Sequence, residues 1–467
     1  MENKSEVKAL KEKLFSKKVN GWKRIDAEEF DLIHDFCEEY KVFLNSSKTE
    51  REAVDTALIL AKAAGFKKFN KDTKYNPGDK VYKNNRGKSI IFTVFGKDDI
   101  EKGVNILASH IDSPRLDLKQ HPLYEENDIA YFKTHYYGGI RKYQWPTVPL
   151  SLHGVIIKSD GTSVQVCIGE DEGDMQFVIS DLLPHLAAEQ NKRTLPDGIK
   201  AEELNIIIGS CPFNNDEESE LVKLNILNIL FEKYGITEDD FVSAELEAVP
   251  AFKAVDIGFD RSMIGSYGHD DRVCAFPALM SLLDIEGAPN KTAVCVLADK
   301  EEIGSYGNTG LNSDFLKNFI WDIAKPFGVE GRTVLENSEC LSADVNSAYD
   351  PTFSSAFEAR NSSYLGYGAV VTKYTGARGK SGTSDASAEY VGKIRNLLDS
   401  KNVVWQTGEL GKTDLGGGGT VAMYIASLGV DVIDLGVPVL SMHAPFETVS
   451  KLDVYMTYRT CYEFIAR

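Results

Sequence analysis

A chain of 467 residues is longer than one hydrophobic core usually supports, so two domains, or one domain with a large insertion, are expected. Hydrophobic residues at 43% and charged residues at 26% give an ordinary globular balance and exclude collagenous, low-complexity and disordered classes. A net charge of −18 argues against nucleic acid and against an anionic membrane surface as partners, because both require a basic face.

The first stretch, MENKSEVKALKEKLFSKK, is charged and amphipathic with no apolar centre, so it does not read as a signal peptide. No run approaches the ~20 apolar residues of a membrane span. Seven cysteines, an odd number without CxxC spacing, read as reduced and mostly buried thiols, and a cytoplasmic location is expected. Helices are expected through about residue 70. AEEFDLIHDFCEEYKVFL sets Phe30, Ile33, Phe36 and Cys37 on one stripe, and TEREAVDTALILAKAAGF stops at Gly65. SIIFTVFG and VNILASHID then read as strands.

From about residue 122 to 250 the texture is rich in aromatics, glycine and proline, with short strands and one helix in ESELVKLNILNILFEKYG. After Pro250 strands and helices alternate. KAVDIGF, TAVCVLAD, GAVVTKY, NVVWQTG, VDVIDLG and VPVLSMH are strand-like; DRVCAFPALMSLLD, NSDFLKNFIWDIA, SDASAEYVGKIRNLL, GTVAMYIASLG and the C-terminal segment are helical. This predicts an α/β fold with a central mixed sheet flanked by helices, built from residues 1–121 and 256–467. A β-rich domain of residues 122–255 is inserted into it.

In α/β sheets ligands gather at the carboxyl ends of strands, and polar residues end five apolar runs here. NILASHIDSPRLDLK brings His110 and Asp112 to one strand end, with the two side chains on one face. SYGHDDRVCAFPAL puts Asp270 and Asp271 at the mouth of a helix, where a capping role is the plain alternative. LADKEEIGSYG delivers Glu301 and Glu302, which point to opposite sides if the backbone stays extended. One could bind a cation while the other acts as a general base. ENSECLSADVNSAYDP contributes Asp344, and VPVLSMHAPFETVS contributes His443, which alone also fits a buried structural histidine. Together these imidazoles and carboxylates match the N/O ligand set of a zinc pair. Two ions ~3.5–4 Å apart need a bridging carboxylate and a bridging water or hydroxide.

SHIDSPRLDLK, GHDDRVCAF, DKEEIGSYG, SADVNSAYDP and LSMHAPFET resemble, in order, the five motif blocks of M18 metallo-aminopeptidases, the family of aspartyl aminopeptidase and vacuolar aminopeptidase I. The resemblance implies a zinc-peptidase fold and an inserted domain used for dimerisation. It also implies a centre of two divalent ions, zinc first, with manganese or cobalt as alternatives. On that basis His110 and Asp344 are ligands of one ion, Glu302 and His443 of the other, and Asp270 is the bridge. Asp112 orients His110, Asp271 is local support, and Glu301 is the general base. The implied substrates are peptides with a free N-terminus, and the implied assembly is a homo-oligomer, a tetrahedral dodecamer built from dimers.

The chain departs from the aspartyl members where acidic selectivity would reside. Ser347 replaces a histidine after the zinc-binding aspartate, and Thr372 replaces a lysine, with Lys373 one residue later on the other face of the strand. A neutral or hydrophobic N-terminal residue is therefore slightly favoured over Asp or Glu. His185 in DLLPHLAAEQ matches the first of two family histidines, of which the second is thought to reach a neighbouring subunit's site; Glu189 stands at the second position. The run TDLGGGGTVAM lacks phosphate-loop spacing, and Gly417 and Gly418 read as a close backbone approach beside a substrate pocket or as the start of a helix. An M20-like zinc carboxypeptidase or deacylase would use similar ligands. A non-catalytic assembly protein is the rival of a different class.

Overall fold

The computed structural model describes residues 2–214 and 219–467. Four strands set the frame: β1 (Val104–His110), β2 (Thr292–Ala298), β3 (Glu339–Ala343) and β4 (Asp431–Gly436). They lie side by side in the order β2-β1-β3-β4, all parallel. Apolar runs without polar alternation, such as VNILA and TAVCVLA, suit strands covered on both faces, and β1, β2 and β3 are buried throughout. Ser89–Val94 pairs antiparallel with β2 and Ala369–Thr372 antiparallel with β4, within a mixed sheet of nine strands.

One face of this sheet is covered by α1 (Ala27–Asn45), α2 (Glu50–Ala63), α3 (His269–Leu283) and α4 (Lys451–Ile465). Asp26 caps α1, and a capping box between Thr49 and Glu52 starts α2. Shorter helices, Phe315–Ala324, Gly331–Glu336 and Ala422–Ala426, cover the other face. The last is all that forms of the helix expected in GTVAMYIASLG; the glycines before it stay outside regular structure. Glu218, the first residue of the helix expected in ESELVKLNILNILFEKYG, lies outside the described residues, as does Met1; the helix itself spans Leu221–Tyr234.

A second sheet has seven antiparallel strands running from Arg115 to Pro250, with a core of its own that includes Leu116, Trp145, Leu150, Phe241 and Leu246. Its strand Arg115–Glu126 crosses residue 121, so the break in composition falls inside a strand. A third, five-stranded sheet joins Val255–Ile257, Met263–Ser266, Glu447–Ser450, Pro438–Leu440 and Asn346–Ser347. KAVDIGF and VPVLSMH, expected among the alternating strands, thus serve this small sheet. Among the described residues no helix is long and apolar enough to cross a membrane.

A buried ion network seats the seven-stranded sheet on α2. The ring of His153 reaches Glu52 Oε1 through Nδ1 (2.7 Å) and Glu170 Oε1 through Nε2 (3.2 Å). Glu170 also accepts from Ser151 and Lys253 (both 2.8 Å), and Lys48 donates to the carbonyls of Pro250 and Phe252. Burial alone would lower the His153 pKa, but hydrogen bonds with Cys167, Glu170 and Glu52 raise it to about 11. A raised histidine pKa stabilises the fold fully below the ordinary value of ~6.5, and that contribution is lost as pH climbs through the folded value. His153→Gln is therefore expected to lower Tm by several degrees at about pH 6 and by clearly less at about pH 10. Thermal melts of both proteins across that range check it.

Candidate metal centre

The register of the central sheet brings the first residues together. Ala298 pairs with His110, so β1 and β2 end side by side, and their following loops share the same space. After Asp299 the backbone turns through Lys300 at φ 68°, and Glu301 and Glu302 sit in a 3-10 turn, Glu301–Ile303. They are not extended, so the expected alternation of faces does not apply. What separates them is burial: the Glu302 side chain is 4% exposed and that of Glu301 17%.

Asp112 organises this corner. Its Oδ1 accepts from the Glu301 N–H (3.1 Å) and lies 3.3 Å from His110 Nδ1. Its Oδ2 accepts from the Glu302 N–H (3.1 Å) and from the Tyr137 hydroxyl (2.8 Å). Asp112 thus holds the His110 ring through its backbone carbonyl (3.0 Å from Nδ1) as well as its carboxylate, and it holds both glutamates, with a donor from the seven-stranded sheet completing its shell.

Asp270, at the mouth of α3, joins the two halves. Its Oδ1 is 3.2 Å from His110 Nε2 and its Oδ2 is 3.0 Å from His443 Nε2. Asp344 Oδ1 and Glu301 Oε2 each stand 3.9 Å from His110 Nε2, and Glu302 Oε1 is 3.5 Å from His443 Nε2. Asp271 Oδ2 accepts from the His110 N–H (3.3 Å). Two triads have ligand atoms within 4.8 Å of one another: His110 with Asp271 and Asp344, and His110 with Asp270 and Glu302.

Glu447 went unrecognised in the sequence. Its Oε1 accepts from the His443 N–H (2.7 Å) and its Oε2 from the Asp270 N–H (3.1 Å). His443 itself stands at φ 66°, a left-handed backbone held in place by that bond. The available signal was a carboxylate four residues beyond a histidine at a strand end.

The electrostatics suit a divalent cation. Burial pushes Glu302, Asp344 and Asp271 well above the usual carboxylate range, and Glu301 up to about 7. Burial also acts to raise Asp270, but the imidazoles of His110 and His443 outweigh it and hold the group low. Burial would lower His443, yet Asp270 and Glu302 raise it to about 11. Glu302 Oε1 and Asp271 Oδ1 are buried without a hydrogen-bond partner. Acidic groups that otherwise keep protons, with unpartnered oxygens aimed inward, fit cations that would replace those protons. The donor set is nitrogen and oxygen with no thiolate, as zinc, manganese and cobalt accept.

The sequence model of the family described as Aminopeptidase I zinc metalloprotease (M18) matches residues 43–465. The chain belongs to the M18 family. It is 50% identical over 446 residues to the probable M18 family aminopeptidase 1 of Clostridium acetobutylicum, covering 94% of this chain and 96% of that protein. The crystal structure of the M18 aminopeptidase from Thermotoga maritima is 44% identical with a TM-score of 0.92, covering 97% of this chain and 99% of that one. A more distant structure, the S. cerevisiae mApe1 dodecamer, shares the fold at 21% identity and a TM-score of 0.73, covering 92% and 96% of the two chains. As an M18 protein the chain is a metallo-aminopeptidase with the mixed α/β fold expected of it.

The remaining candidate residues of this M18 chain have local partners of their own. Thr372 is buried, and its hydroxyl accepts from Asn346 Nδ2 (3.0 Å). Lys373 is half-exposed and ion-paired to Asp385. Ser347 lies in the small sheet, paired with Val439, and its carbonyl accepts from the Ser363 hydroxyl (3.0 Å). Gly417, at φ 108°, does make a close backbone approach, but to Gly376 and Ala377, while the Gly418 N–H donates to the Thr375 carbonyl. His185 is exposed, and among the described residues no hydrogen bond or ion pair joins it to the centre of its own chain. A third cluster, Glu52, His153 and Cys167, is the ion network already described, with both ring nitrogens engaged.

Removing divalent metal with a chelator is expected to lower Tm, and returning zinc, manganese or cobalt to restore it. A cation held at a thousandfold excess over its Kd stabilises by ~4 kcal/mol. Asp270→Ala is expected to abolish that metal-dependent shift, which melts with and without added metal read directly.

Proposed function

We propose that this M18 aminopeptidase is a co-catalytic dizinc enzyme that removes N-terminal residues from peptides, with Glu301 as general base. The observation that carries the reading is Asp270, one carboxylate with an oxygen toward each of two imidazoles. His110 and Asp344 would hold one ion, His443 and Glu302 the other, and Asp270 would bridge them. Such a pair supplies Lewis acidity toward the scissile carbonyl and lowers the pKa of water at the site. Glu301, the more exposed of the glutamates, takes the proton from the attacking water and delivers it to the leaving amine. Asp112 keeps Glu301 on station through its backbone N–H and keeps His110 oriented. Zinc is the proposed ion, with manganese or cobalt able to replace it.

The residues at positions 372 and 373 support a neutral or hydrophobic N-terminal residue over Asp or Glu. Thr372 offers no charge and its hydroxyl is already engaged by Asn346, while the Lys373 ammonium is neutralised by Asp385. Residues 122–255 are proposed as an inserted dimerisation domain of a homo-oligomer, a dodecamer as in the yeast protein. Exposed Leu182, Leu183 and Leu186 beside His185 support a contact between copies there. Seven free cysteines, five of them buried, support a cytoplasmic setting.

Glu301→Gln is expected to lower kcat by about 10²–10⁴-fold while bound metal stays at the wild-type level. Loss of metal in that variant, measured by elemental analysis, would overturn the assignment of Glu301 as base. A panel of aminoacyl chromogenic substrates is expected to show Leu or Ala cleaved ahead of Asp or Glu. Cleavage confined to N-acetylated substrates would instead identify a deacylase.

A further inference from the structure

The seven-stranded sheet touches the metal centre at the end of one strand, Ile129–Tyr137. Three successive residues there each meet a different member of the centre. The Tyr137 hydroxyl donates to Asp112 Oδ2 (2.8 Å), and the Arg115 guanidinium lies 3.9 Å from the centre of its ring. Gly138, at φ 74°, lies so close to Glu302 that a Cβ would stand 3.1 Å from Oε2 and 3.3 Å from the Glu302 Cβ. The Gly139 carbonyl accepts from His443 Nδ1 (2.9 Å), and a Cβ at Gly139 would stand 3.3 Å from that nitrogen.

Each contact has a chemical consequence for the centre. A donor on Asp112 Oδ2 holds that carboxylate in the one orientation that also receives the N–H groups of Glu301 and Glu302. A carbonyl on His443 Nδ1 keeps the proton on that nitrogen and leaves the Nε2 lone pair facing Asp270 and Glu302, as a ligand requires. Gly138 runs close beside Glu302, so a side chain added there would press on the glutamate. Two glycines in succession let the backbone come this near; any larger residue would push on the carboxylate or the ring.

We propose that Tyr137, Gly138 and Gly139 form a positioning segment through which the inserted sheet sets the aim of the metal-binding side chains, with Tyr137 acting through Asp112. Aligning the centre therefore depends on the seating of a sheet that supplies no ligand of its own. This inference rests on the dimetal reading of the site, and the test separates the two.

Tyr137→Phe in the full-length protein keeps the ring and its contact with Arg115 and removes only the donor to Asp112. Zinc affinity, measured by competition with a chromogenic chelator, is expected to weaken by about 10–100-fold. In the same variant kcat for a leucyl substrate is expected to fall by about 10-fold or more, with KM close to the wild-type value. Tyr136→Phe, a change at an exposed neighbour on the same strand, is expected to match wild type in both. Gly138→Ala, which presses on Glu302 from the other side, is expected to weaken zinc as well, and serves if Tyr137→Phe does not fold. Wild-type zinc affinity and kcat in folded Tyr137→Phe would overturn the inference, as would wild-type values in Gly138→Ala should that variant alone be available. If the wild-type protein binds zinc but cleaves no free-amine substrate, the aminopeptidase reading fails, and the zinc affinities of the variants still decide this proposal.

Discussion

Asp270 stands between two imidazoles, with Glu301, Glu302, Asp344 and Asp271 close to the same rings; most of these side chains are buried, while His443 and Glu301 stay partly open to solvent. Like charges at such separations repel strongly once water is excluded, and burial alone would keep most of these groups protonated. The fold has to hold them there. Three of the four parallel strands end at this place and run buried over their whole length, which gives the loops rigid bases. The net charge of −18 belongs to the same picture, since the acidic excess is not merely a solvated surface but includes a concentrated interior cluster.

Two further carboxylates do the holding without facing across the gap between the imidazoles. Asp112 receives the N–H groups of Glu301 and Glu302, and Glu447 receives those of Asp270 and His443. Both accept backbone N–H groups, and Asp112 also meets the His110 ring and the Tyr137 hydroxyl. The arrangement is nearly symmetrical: one buried acid serves each imidazole and its neighbours. Burial acts to raise Asp112, but His110 and Tyr137 outweigh it and hold the group low, so its bonds are charge-assisted and roughly twice as strong as neutral ones.

The strands and helices of the central α/β layer were legible as segments because the strands are uniform apolar runs and the helices are periodic, whereas the order of the strands in the sheet came only from the structure. Residues at strand ends could be named as a group, since strands of a parallel sheet deliver their carboxyl ends to one side. Less legible was the 3-10 turn that carries Glu301 and Glu302, because a left-handed Lys300 has no signal comparable to a glycine. Glu447 was hidden because a carboxylate near the end of a motif resembles ordinary surface charge. Tyr137 was hidden by distance: its partner lies 25 residues earlier, across a strand pairing that composition does not reveal. The small third sheet was missed for a related reason, since its members come from three widely separated segments and none is longer than four residues.

That third sheet has a consequence of its own. Met263–Ser266 leads into Asp270, Asn346–Ser347 follows Asp344, and Pro438–Leu440 with Glu447–Ser450 brackets His443. The loops bearing these three residues are therefore laced together by one set of backbone hydrogen bonds, separate from those of the central sheet. Local opening of such a unit is cooperative, and its amides would exchange with solvent together instead of one loop at a time. A substitution that frays any one edge of the little sheet would loosen all three loops at once, which makes its few residues as intolerant of change as the charged side chains they carry into place.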